Sequence, residues 1–384
     1  MAKFEKANSV GEWLDQRLNL TTFNKVMMTE YWIPKDINLA FDSVNYTIMQ
    51  EVAFGWLFRH MHGVAASVVF LIIYIHMFTG IYYGSYKQGR EMIWISGMLL
   101  FMTFSAAGFS GYMLPWGQMS YWAAMVITNL FGGVPVIGDA LVVWIRGDFN
   151  VADATLTRFF MLHVFLLPIT IMGIIGVHFY TLRIPHVNNQ TSEEFHFDEE
   201  AEKYLAGNKK ESKVIPFWPV FISKDLAVLG VFLIFYFYLV FFHYNFAMDP
   251  VNFDPADSMV TPAHIYPEWY FLWSYEVLRG FFFDIAGFKA FDIGLIAFAF
   301  ANGIFLVLPW LDRDPKILPA HKRPVFFIWF WILMADLIIL TVYGKLPPTG
   351  ANAWVGFFAA LAFILLFLVL PIVTKIDAKK RGSL

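Results

Sequence analysis

Seven stretches of this 384-residue chain are long, apolar and nearly free of charge, and a polypeptide built that way has few folds open to it. They cover 60–86, 92–138, 159–182, 226–248, 293–311, 325–344 and 353–374, and only Asp336 interrupts the sixth. A helix needs about 20 apolar residues to cross the hydrocarbon of a bilayer. Inside lipid each backbone N–H and C=O must find its partner within the segment, so runs of this length cross as helices. The 92–138 run exceeds one crossing and contains Pro115, so it is read as one span followed by surface segments. Composition agrees, since 58% of the residues are hydrophobic and 15% charged, against roughly half and a quarter in soluble domains. The expected fold is all-α, a polytopic transmembrane bundle of seven spans.

Basic residues are unevenly shared between the connections. They concentrate in 87–90, in 183–224, in 313–323 and in the tail after 375, whereas the opposite loops hold only Arg146, Arg158, Arg279, Lys289 and Lys345. The positive-inside rule puts the first set, with the C-terminus, on the cytoplasmic side. A net charge of -3 gives no reason to expect nucleic acid as a partner. With no cysteine, the chain cannot form disulfides, ligate an iron–sulfur cluster or attach haem by thioether bonds. Residues 1–35 carry alternating charge without an apolar core, so no cleavable signal is read there. Glu12–Met27 is expected to form a surface helix. The polar connector 187–213, flanked by His186 and containing His196, is read as solvated, and no internal repeat is visible.

Two of the apolar runs each carry a pair of histidines, His62 with His76 and His163 with His178. At 3.6 residues per turn, fourteen or fifteen positions return the second imidazole to nearly the same face, roughly 21 to 22 Å farther along the axis. Two such helices side by side could hold two stacked bis-histidine haems, one nearer each membrane surface. A lone histidine in an apolar helix is as readily a core or channel residue, but two matched pairs on separate spans favour haem. Gly97 and Gly111 repeat the interval on the intervening span and are read as lying one beside each haem. The alternative for both is an ordinary small-residue helix contact.

The stretch from Trp56 to Tyr86, the segment Gly111-Tyr112-Met113-Leu114-Pro115-Trp116-Gly117-Gln118 and the tetrad Pro267-Glu268-Trp269-Tyr270 together resemble the cytochrome b family. Members are the haem- and quinone-binding subunits of quinol:cytochrome c oxidoreductases, and the resemblance runs from Leu39 to the last span. It implies a low-potential haem b on His62 and His163 near the outer face and a high-potential haem b on His76 and His178 near the inner face. Arg59 would pair with a haem propionate, unless it is an interfacial snorkelling arginine. Glu268 would accept a proton from quinol at an outer site, with Tyr270 and Tyr275 counted as catalytic beside it. Arg183, Lys224 and Asp225 would belong to an inner quinone site, although a helix-start acid and a snorkelling lysine would look the same.

Further implications are a Rieske-type iron–sulfur protein and a c-type cytochrome as partners, a homodimeric complex and a bacterial cytoplasmic membrane. One quinol electron would pass to the iron–sulfur protein and the other through the haems to the inner quinone. Protons would leave outside and enter inside. The chain divides on this reading into an N-terminal segment 1–38, a haem domain 39–215 and a C-terminal domain 216–384.

Several positions depart from the family pattern. Pro34 to Asn38 runs directly into Leu39, so the family's first spanning helix is missing, and with seven spans parity puts Met1 outside. His163 and His178 lie fifteen apart, and Arg183 stands at a respiratory histidine position; both features resemble the plastid type. Thr79 replaces an arginine three residues after the inner haem ligand. Ala123 falls where many respiratory members have glycine beside the outer quinol pocket. Asp336 is expected to be a satisfied polar contact near the membrane edge. A haem-poor deletion form, or a transporter with intramembrane histidines, would share part of this pattern.

Overall fold

The structure, a computed structural model, describes residues 37–185, 197–209, 212 and 214–382. The expected Glu12–Met27 helix and both His186 and His196 lie outside the described residues. Among the described residues, seven helices are long and apolar enough to cross a membrane, in agreement with the sequence. They are α1 (Gly55–Tyr82), α2 (Glu91–Met113), α3 (Asp153–Arg183), α4 (Phe217–Phe242), α5 (Ala290–Leu311), α6 (Pro324–Lys345) and α7 (Ala351–Lys380). No β-strand occurs among the described residues. After Pro115 the second apolar run continues as a short helix, Gln118–Leu130, and a 3-10 turn, Phe131–Gly133, and another short helix, Gly138–Arg146, starts where the run ends. That is the division its length and proline predict.

Before α1, a helix over Ile37–Asp42 leads into a π-helical stretch, Ser43–Glu51. The Ile37 N–H donates to the Asp153 carboxylate at 2.9 Å, so the chain enters at the end of the bundle where α3 begins. α1 then starts abruptly. Phe54 takes a left-handed φ of 60°, and a Cβ at Gly55 would lie 2.0 Å from the Ile48 carbonyl oxygen, which only glycine permits.

α2 packs along α3 and α4 along α1, whereas α1 and α3 are not close-packed partners. That leaves room between the two histidine-bearing helices. The C-terminal half is denser, with α6 against α7 and the short helix Leu272–Arg279 packed on α5, α6 and α7. Its core is aromatic, including Trp273, Phe305, Phe326, Trp329, Phe363 and Phe367. The first N–H groups of α6, which lack intrahelical partners, are capped from α7. Asp377 accepts from Val325 at 3.0 Å and from Phe326 at 2.7 Å.

The end of the bundle where α1, α5 and α7 finish is locked by a buried ionic cluster. Asp312 binds Arg323 at 2.8 Å and Lys87 at 3.2 Å and accepts from the Tyr86 hydroxyl at 2.6 Å. Asp314 takes Arg323 Nε at 3.1 Å and a guanidinium nitrogen of Arg381. The loop after α1 is thereby tied to the loop before α6 and to the tail. Burial alone would raise the Asp312 pKa, but Arg323 and Lys87 outweigh it and hold the carboxyl below its ordinary value. Two basic residues counted toward the cytoplasmic face, Lys87 and Arg323, are thus internal. The reading of Asp336 needs correction: it is buried midway along α6, and its Oδ2 has no hydrogen-bond partner among the described residues.

Candidate functional site

α1 and α3 bring the four histidines together in the predicted pairs. His62 and His163 have ring centres 5.9 Å apart with planes at 87°, and His76 and His178 are 6.5 Å apart at 75°. An imidazole–metal–imidazole sandwich with nitrogen–metal bonds of roughly 2 Å needs a centre-to-centre distance of about 6 Å. Both pairs meet it. The α3 histidines are oriented from α2: His163 Nδ1 lies 2.9 Å from the Ala107 carbonyl oxygen and His178 Nδ1 3.0 Å from Ser96 Oγ. Holding Nδ1 in this way presents Nε2 to the partner ring, the usual arrangement behind a metal-binding histidine.

Gly97 and Gly111 make room for these rings. A Cβ on Gly111 would come 2.4 Å from His163 Cε1, and one on Gly97 3.2 Å from His178 Cε1. Each glycine therefore adjoins one pair, as its interval predicts, with the α3 imidazole as the neighbour a methyl would strike. Arg59 stands one turn before His62 on α1.

In the connection between α4 and α5, Glu268 precedes a single 3-10 turn, Trp269–Phe271, that leads into the Leu272–Arg279 helix. The tetrad is pinned to α1. Tyr74 donates its hydroxyl to the Tyr270 carbonyl at 2.5 Å and accepts from Trp273 Nε1 at 2.9 Å. Pro115-Trp116-Gly117-Gln118 clamps the approaching loop. Ser120 binds Asn252 through its N–H at 2.8 Å, and Gln118 donates to the Val260 carbonyl at 2.9 Å. Gly117 leaves space for the Asn252 backbone, since a Cβ there would lie 2.2 Å from the Asn252 carbonyl oxygen. Tyr74, Asn252 and Trp273 had no distinguishing sequence signal, because each acts through a contact far away in the chain.

Beside the tetrad lies an almost wholly apolar cavity of about 700 Å³, lined by Pro267, Phe271, Tyr275, Ala123, Phe131 and neighbours. That size and lining suit a lipophilic ring compound. Tyr275 faces it, with its hydroxyl bonded to the Ile265 carbonyl at 3.1 Å. Tyr270 does not line it but stacks on Phe70 with ring centres 3.9 Å apart. Glu268 is half-buried, its buried Oε1 has no hydrogen-bond partner among the described residues, and burial pushes its pKa up to about 8. A carboxyl so placed can hold or release a proton near neutral pH.

A smaller cavity of about 320 Å³ opens beside the second histidine pair, bounded by His76, His178, Gly97, Thr79 and Ser85. Arg183, Lys224 and Asp225 are exposed and do not line it.

Comparison with known proteins decides the family. Residues 3–185 match the sequence-family model described as Cytochrome b/b6/petB, and residues 255–378 match Cytochrome b(C-terminal)/b6/petD. The chain belongs to the cytochrome b family. The cytochrome b of Cereibacter sphaeroides is 40% identical, over 92% of this chain and 79% of its own length. That of Rickettsia bellii is 38% identical over 98% of this chain and 96% of its own. A chain of a solved structure titled "Hyperthermophilic respiratory Complex III" superimposes with a TM-score of 0.80 at 36% identity, covering 97% of this chain and 93% of that one. The N-terminal cytochrome b match contains all four paired histidines, and the C-terminal match contains Glu268 and Tyr275. The chain is thus a cytochrome b of the respiratory complex III type.

Proposed function

We propose that this cytochrome b is the electron-transfer subunit of a quinol:cytochrome c oxidoreductase, with one haem b on His62 and His163 and a second on His76 and His178. The observation that carries the reading is the pair of imidazole sandwiches at metal-binding separation, stacked between two helices that otherwise stand apart. Bound haem supplies one-electron carriage along the bundle, low-potential at the outer pair and high-potential at the inner. Arg59 compensates a propionate of the outer haem, since an anion at membrane depth requires a cation.

Quinol binds in the apolar cavity between Ala123 and Tyr275. Its oxidation to quinone releases two electrons and two protons. Glu268, once deprotonated, takes one of these protons and passes it to the outer side, with Tyr275 lining the ring pocket and Tyr270 holding the tetrad in place. One electron leaves to a Rieske-type iron–sulfur protein and then to a c-type cytochrome. The other reduces quinone near the inner face, where Arg183, Lys224 and Asp225 attend the site and protons enter. On this reading the complex is a homodimer in a bacterial cytoplasmic membrane with the C-terminus inside, which the basic loops favour. The haem domain is taken as 39–215 and the quinol-site domain as 216–384.

A reduced-minus-oxidised visible spectrum of the purified complex tests the haem assignment. Two b-type signals are expected, and His178→Leu should remove the inner one while sparing the outer. Equal loss of both signals would overturn the pairing, and no haem signal in the parent complex would overturn the function.

A further inference from the structure

We propose that Arg90 is the cation that binds a propionate of the inner haem. The inference rests on the reading of His76 and His178 as haem ligands. Arg90 immediately precedes α2 and lines the same cavity as those two imidazoles. Histidines aside, it is the one charged side chain among the residues that bound this cavity.

Its hydrogen bonding is incomplete. Nη2 donates to the Pro185 carbonyl oxygen at 3.2 Å, just past the end of α3, but Nε is buried and has no partner among the described residues. No carboxylate lies within ion-pair reach of Arg90 among those residues. Burial without an anion pulls its pKa below the usual guanidinium value. A guanidinium offers donors in a planar fork that suits a carboxylate, and desolvated donors of this kind are costly to leave unmatched.

Nearby cations are already committed. Lys87 pairs with Asp312, Arg323 with Asp312 and Asp314, and Arg381 with Asp314. Thr79, which also lines the cavity, brings no charge. A haem b carries two propionates, and an anion in a largely apolar membrane cavity needs a cation with free donors. Arg323 and Arg381 also keep unmatched donor nitrogens but do not line this cavity, so among the groups around the inner pair Arg90 is the one that supplies them there. The competing role, fastening the end of α3 through Pro185, uses Nη2 and leaves Nε unexplained.

The test is a redox titration of both haems in the assembled complex, comparing the parent with Arg90→Gln and Arg90→Lys. A positive neighbour favours the reduced iron, so Arg90→Gln should lower the inner midpoint. About a tenfold shift toward the oxidised form at fixed ambient potential is expected, which for a one-electron couple is about 59 mV. The outer midpoint should stay in place, and Arg90→Lys should keep the inner midpoint near the parent value. Loss of the inner haem in Arg90→Gln with retention and normal potential in Arg90→Lys also supports the pairing. The proposal is overturned if neither variant shifts the inner midpoint, if both shift it equally, if the two haems move together, or if both variants lose the inner haem alike. Absence of an inner b-type signal in the parent would instead bring down the haem assignment itself.

Discussion

His163 and His178 are fifteen residues apart, yet each meets its partner on α1, because His163 lies in a π-helical turn at Leu162–Leu166. In a regular α-helix, fourteen residues bring a side chain within about 40° of its starting face and fifteen overshoot by about 60°. A π-turn takes up one extra residue by closing i→i+5 bonds. The unusual spacing and the local helix type are one feature. The turn restores to α3 the phase that α1 has with its fourteen-residue spacing.

Removing Val164 should therefore convert the π-turn to α-helix and leave both haem sites occupied. Inserting one alanine after Gly173, where no turn can absorb it, should rotate His178 by about 100° and eliminate the inner haem alone. Haem content by visible spectroscopy reads both variants. Intact inner haem in the insertion variant would show that ligand phase is not set by this helix.

The pairing of the four histidines and the spans were legible in the sequence because both depend on local periodicity in long apolar runs. Pro262 and Pro267 argue against continuous helix around the tetrad, so its place in a loop is also a local property. What could not be read were groups whose role comes from distant contacts: Tyr74 holding Tyr270 and Trp273 across almost 200 positions, or Arg323 enclosed with Asp312 although its loop looks solvent-facing. Asp336 was misjudged for the same reason. Burial of a single acid in a span is fixed by the neighbouring helices, and sequence alone does not give those.

Quinol oxidation should carry the titration of Glu268. With its pKa raised to about 8 by burial, the acceptor carboxylate is a minor species at pH 7 and grows as pH rises through that value. Turnover should climb with pH over this range. Glu268→Gln should lower turnover by roughly 100-fold or more, abolish this limb of the profile and preserve both haem spectra. An unchanged pH profile in the variant would take Glu268 out of the proton path.

Asp312→Asn should destabilise the protein by roughly 3–5 kcal/mol, because Arg323 and Lys87 would remain buried with their shared anion neutralised. The sign with pH follows from the shift. The Asp312 pKa is depressed in the fold, so its stabilisation is present above the unfolded carboxyl pKa and is lost as pH falls through the lower folded value. Unfolding in mixed micelles, followed by near-UV circular dichroism, measures the difference. Parent-like stability at neutral pH would show that the cluster does not hold the inner end together.

Topology can be tested cleanly because the chain contains no cysteine. Glu51 precedes α1 and Lys380 ends α7, and both are exposed. Seven crossings separate them, an odd number, so single cysteines at the two positions should label from opposite sides of sealed membranes. With the basic loops inside, Glu51→Cys should react from the outer face and Lys380→Cys only from the cytoplasm. Labelling of both from one face would mean that one of the seven helices does not cross.

Ala123 sits on the Gln118–Leu130 helix, buried, with its methyl group at the wall of the outer cavity. Resemblance to respiratory cytochromes b places flat methoxyacrylate-type inhibitors in this part of the pocket. There an added methyl competes for the volume a planar ligand needs. Overpacking of this kind costs roughly 1–3 kcal/mol, equivalent to about one to two decades of affinity. The parent should resist this class, and Ala123→Gly should gain about one to two decades of sensitivity. Quinol turnover should change little, since Glu268 and Tyr275 keep their supports. Inhibitor titrations on the two forms decide the matter, and equal potency would place the binding site away from this helix.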